Sequence, residues 1–101
     1  MQPNFELHSY TAGFGALLLC PAGGFNHLHH EKVDVFERTE DETSCLHVSV
    51  SDAKVTIDKD LEGNPSSRRH GMTIQFWCEE CSAKPVLSIL QHKGQTFIDF
   101  K

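Results

Sequence analysis

Two cysteines, Cys78 and Cys81, constrain this chain more than any other feature. They are separated by Glu79 and Glu80 and follow directly on the alternating run Met72-Thr73-Ile74-Gln75-Phe76-Trp77. Two thiolates at that spacing sit on one tight turn and point at one tetrahedral centre, which is half of a structural zinc site. A second turn, Cys20-Pro21-Ala22-Gly23-Gly24, follows the short apolar run Ala16–Leu19 and carries a third thiol. A four-cysteine site would need a further cysteine at position 23, where this chain has Gly23. With four protein ligands the fourth must then be a histidine. His27 lies closest behind the first turn and His30 is the reserve, while strand alternation turns His29 to the opposite face from His30. The expected ligand set is Cys20, His27, Cys78 and Cys81 around a structural Zn2+.

Length supports that reading. A chain of 101 residues holds one domain, spanning 1–101, and buries a smaller share of its surface than a large protein, so a metal staple is a useful supplement. The net charge of −5 weighs against a general nucleic-acid binder, whose footprint is basic. No stretch approaches the roughly 18 apolar residues of a spanning helix. Ala16-Leu17-Leu18-Leu19-Cys20 imitates the end of a lipoprotein signal, but no Lys or Arg precedes it and the apolar run is too short. The expectation is a cytoplasmic chain without a membrane segment. In a reducing compartment paired cysteines read as metal ligands rather than bridges.

Periodicity points to strands throughout. Leu46, Val48 and Val50 alternate with His47, Ser49 and Ser51, and Met72, Ile74 and Phe76 alternate in the same way. Further strands are expected at Leu28–Arg38, Val55–Ile57, Val86–Gln91 and Thr96–Phe100. The last two form a hairpin turning at Lys93-Gly94, because Gly tolerates positive φ. Residues 1–13 carry little pattern. Thr39–Ser44 is an acidic, solvated loop, and Asp58–Gly71, with Gly63-Asn64-Pro65, is a long mobile one expected to cut first near Arg68 or Arg69. Helical periodicity is nowhere sustained. The fold class is mainly β, a small antiparallel sheet with zinc-ribbon-like knuckles and a C-terminal hairpin.

Other chemistry is weaker. A thioredoxin-like role for Cys78 and Cys81 would need a following helix, and Pro85 with a strand comes instead. The acids Glu37, Glu40, Asp41 and Glu42 repel into water rather than pair for acid–base work. Cys45 reads as a free thiol. Arg68 and Arg69 form the one basic cluster, and His92 with Lys93 sits at the hairpin tip. Trp77 is an interface anchor if exposed, since aromatics concentrate at binding hot spots. These five residues are the candidate partner-binding positions.

The chain resembles a family of small uncharacterised proteins of phages and bacteria. The resemblance rests on Cys20-Pro21-Ala22-Gly23-Gly24, Leu28-His29-His30, Val33-Asp34-Val35-Phe36-Glu37-Arg38, the Gly63–Gly71 loop, Phe76–Cys81 and Gln91–Thr96. It covers about four fifths of the chain and implies a zinc-ribbon-like metal site and a phage or bacterial source, but no established activity. Gly23 departs from the family's Cys-Pro-x-Cys-Gly turn. The function expected is therefore a structural-zinc, protein-binding or regulatory accessory module and not an enzyme. A nucleic-acid-binding zinc ribbon is the alternative. A metalloenzyme comes third, because a zinc deaminase needs a glutamate at an offset that Glu79 does not have.

Overall fold

The computed structural model describes the backbone of residues 7–10 and all of residues 15–101. Every regular element among them is a strand. A two-stranded antiparallel ribbon is formed by β1 (Leu7–Tyr10) and β2 (Gly15–Leu18). The six remaining strands are β3 (Leu28–Glu37), β4 (Leu46–Ser51), β5 (Lys54–Asp58), β6 (Gly71–Cys78), β7 (Val86–His92) and β8 (Gln95–Phe100). They make one antiparallel sheet in the order β5-β4-β3-β6-β7-β8. No helix is present among the described residues, so none is long and apolar enough to cross a membrane.

Period-two alternation becomes whole rows of side chains once the registers are joined. Val55, Val50, Val33, Ile74, Leu87 and Phe100 stand opposite one another across all six strands. The neighbouring row on that face is Ile57, Val48, Val35, Met72, Ile89 and Ile98. Between them, on the other face, runs Thr56, Ser49, Asp34, Thr73, Ser88 and Asp99. One face is thus apolar from edge to edge and the other largely polar, as the pleat requires. Burial along the apolar face is uneven. Phe100 is fully buried and meets Phe76 edge-on at 5.7 Å, whereas Val55 and Ile57 on the edge strand are 62% and 67% exposed.

Three expectations change. First, residues 7–10 pair as a strand with 15–18, although alternation in that stretch is too short to announce it. Second, β6 runs on through Trp77 into Cys78, so the first cysteine of the pair is a strand residue. Third, the Asp58–Gly71 segment is tied down. The Ser66 hydroxyl, buried, donates to Gln91 O at 2.7 Å and accepts from the Arg68 and Arg69 amides. Asn64 Nδ2 donates to Arg69 O, and Asn64 Oδ1 accepts from the Ser66 amide. The loop lies over Phe36, which is only 2% exposed on the otherwise polar face. Gly71 is required where the loop meets β6, because a Cβ there would collide with Asn64 Oδ1 and lie 2.7 Å from Pro65 Cδ. Apolar periodicity missed this docking because polar side chains hold the loop to main-chain groups.

The C-terminal hairpin turns as expected. Lys93 and Gly94 both take positive φ, 52° and 77°, the paired left-handed geometry that closes a tight two-residue hairpin.

Candidate metal centre

Strand β6 lies beside β3, and this brings the two cysteine turns together. Leu28 faces Cys78 and His29 faces Trp77, so the beginning of β3 sits against the end of β6. The first turn is closed on itself, with the Gly24 amide donating to Cys20 O at 2.7 Å and the Cys20 amide to Phe25 O at 2.8 Å. The Glu79 amide then donates to His27 O, joining the second turn to the segment that leaves the first.

The sulfurs of Cys20, Cys78 and Cys81 all lie within 4.8 Å of one another. Cys20 and Cys78 are buried and Cys81 is partly so. Cys20 Sγ and Cys81 Sγ are 3.9 Å apart, close to the edge of about 3.8 Å that two sulfurs have on a tetrahedral ion at about 2.3 Å each. No fourth His, Cys, Asp or Glu atom joins this group among the described residues. The donor set itself, three soft thiols from two turns, could hold a metal ion.

His27 stands outside the thiol group. Its Nδ1–H donates to Glu80 Oε1 at 2.7 Å, and its side chain is 60% exposed. Beside it, His29 Nε2–H donates to Glu79, and this bond holds the Glu79 carboxyl below the ordinary carboxylate range. The residues between the two cysteines are thus clamped by two histidines from the facing segment. The sequence offered Glu79 only as a deaminase base at the wrong offset, and Glu80 only as a spacer. The signal available was the two acids of the turn set against His-x-His, which becomes meaningful only once the strands are known to pair. His30 stands opposite Phe76, just before a bulge between His30 and Lys32, and is not part of the thiol group.

The candidate partner-binding residues divide between the two ends of the sheet. Trp77 is at the cysteine end, 41% exposed, with its ring stacked on His29 at 4.4 Å. Arg68, Arg69, His92 and Lys93 are at the other end, where the Gln91 amide donates to His70 O and joins the hairpin to the loop. Arg68 is paired through two nitrogens with Asp41, which lowers the Asp41 pKa and raises that of Arg68. The Arg69 Nε is buried without a hydrogen-bond partner. Cys45 is buried away from the other thiols and its Sγ–H donates to Asp60 O; burial raises its pKa.

A second group of titratable side chains was not foreseen. His47 Nε2 meets Asp34 Oδ1 and His47 Nδ1 meets Asp58 Oδ1, both at 2.8 Å, while its ring stacks on Phe36 at 4.4 Å. Burial opposes charging this ring, but the hydrogen bonds to Asp34 and Asp58 outweigh it and raise the pKa above the ordinary histidine value. The three residues come from three different strands, so no local motif could have shown them. Comparisons with family models, curated proteins and solved structures return no match.

Proposed function

We propose that this chain is a small β domain organised on a structural metal, a non-enzymatic protein-binding module, and that its partner is a second copy of itself.

 The three thiols support the metal reading, and zinc is the ion that best fits their chemistry and spacing. The observation that carries the binding reading is the uncovered end of both apolar rows on β5. Val55 and Ile57 project there from an edge strand, and Leu46 and Val50 beside them are also exposed. An edge strand with bare apolar side chains is a template for another strand.

Charge selects the partner. In an antiparallel pairing about a two-fold axis at Thr56, Lys54 stands opposite Asp58 of the second copy and Val55 stands opposite Ile57. Each charge then meets its opposite, and both apolar rows continue across the junction. The basic cluster gives little to the nucleic-acid alternative, because Arg68 is already paired with Asp41. Sedimentation across a wide concentration range tests this reading. A reversible dimer is expected, with Ile57→Lys giving a monomer of unchanged circular dichroism and Lys54→Asp weakening association by opposing like charges. A wild-type chain that stays monomeric at the highest attainable concentration overturns it.

A further inference from the structure

Three thiols fill three corners of a tetrahedron, and the question is what fills the fourth. We infer that Glu80 is the fourth ligand and that His27 is the residue that positions it. This rests on the reading of Cys20, Cys78 and Cys81 as a metal site.

The Glu80 carboxylate lies between the thiols and the imidazole. Its Oε2 is 3.8 Å from Cys78 Sγ, while its Oε1 accepts from His27 Nδ1 at 2.7 Å. On a tetrahedral ion with metal–oxygen and metal–sulfur bonds of about 2.1 and 2.3 Å, an oxygen and a sulfur stand about 3.6 Å apart. Oε2 is therefore already near the right distance from one sulfur, and ligation requires the Glu80 side chain to turn further toward the other two. For His27 to bind through Nδ1, its ring would have to leave the carboxylate. Second-sphere hydrogen bonds of this kind fix the orientation of a ligating group and tune its basicity.

The alternatives nearby are closed. On the side of position 23, a Cβ on Gly23 would lie 2.7 Å from Phe25 Cε2, so the phenyl ring fills the space beside the residue that a four-cysteine site would use. Glu79 is held by His29, whose ring stacks on Trp77. An oxygen in the fourth position makes the site harder than an all-thiolate one. It favours Zn2+ or Co2+ over softer ions such as Cu+.

Titration of the full-length protein with Co2+, followed by visible absorption, tests the assignment. Thiolate-to-cobalt charge transfer reports the sulfurs, and the d–d envelope reports the whole ligand set. The wild type is expected to show both, in a tetrahedral pattern. Glu80→Ala should keep the charge-transfer band but change the d–d envelope and weaken binding more than any His27 variant does. His27→Ala should leave the envelope unchanged and weaken binding about tenfold. Both residues are on the surface, so neither variant removes a core side chain. An altered envelope in His27→Ala with an unaltered one in Glu80→Ala overturns the inference and makes the histidine the ligand. An unaltered envelope in both overturns it in favour of solvent. Absence of charge transfer in the wild type is a different failure, because it removes the metal reading itself.

Discussion

At one end of β3, Leu28 faces Cys78 and three thiols crowd together; at the other, Phe36 faces Gly71 and a polar loop is tied over it. The loop end is held by its own hydrogen bonds, with the buried Arg69 Nε left without one. The Ser66 hydroxyl both donates and accepts, Arg38 Nη1 donates to Ser67 O, and the Arg38 amide donates to His70 Nδ1. The cysteine end is conditional. Three thiols lie within 4.8 Å of one another there, and the metal reading proposed above requires them to ionise around a cation. The difference separates an end held by internal hydrogen bonds from one that, on the reading proposed above, rests on an added ion.

The largest expected effect comes from removing that ion. Chelation of zinc-loaded protein should cost at least ~3 kcal/mol, which for a domain of this size lowers the melting temperature by roughly 15 °C. Hydrogen exchange should localise the loss, with the Cys20 and Glu79 amides opening while those of Arg68, Arg69 and Gln91 stay protected. Unchanged melting after complete metal removal would erase the contrast between the two ends.

A smaller effect is expected at the loop end. Ser66→Ala strands Gln91 O and two amides, and should cost about 1–3 kcal/mol in urea unfolding. Cobalt absorption at the thiols should be unaffected. A spectral change in this variant would show that the two ends are coupled through β3 and β6 rather than independent.

The smallest effect is a pH dependence at His47, which shares the loop end through its stack on Phe36. Its folded pKa is raised, so its charged form is favoured by folding. That stability is fully present below the ordinary histidine pKa of about 6.5 and is lost as pH rises through the folded value. Melting temperature should therefore fall over that window in the wild type and fall less in His47→Gln. Equal pH profiles would remove the two carboxylate bonds from the account of this end.

Much of the strand pattern was legible because period-two alternation reports directly which side chains share a face. Leu46, Val48 and Val50 needed no structure to be placed together, and Lys93-Gly94 marked its own turn. Cys78 and Cys81 were legible as a pair because two residues between thiols fit one turn. The docked Ser66 loop was not, since its bonds run from small polar side chains to main-chain groups that every sequence possesses. His47 was equally silent, because Asp34 and Asp58 reach it only through the pairing of three strands.

The sequence by itself determined most strands of the large sheet, its apolar face and the pairing of Cys78 with Cys81 on one turn, since each depends on spacing within a few residues of chain. Only the tertiary structure decided that β6 returns beside β3 and brings Cys20 within 3.9 Å of Cys81. It likewise decided that the imidazole of His27 rests on Glu80 instead of among the thiols. The physical reason is the same in both cases. Alternation fixes the direction in which a side chain points, whereas its neighbour across the sheet is fixed by the order and register in which distant strands pair.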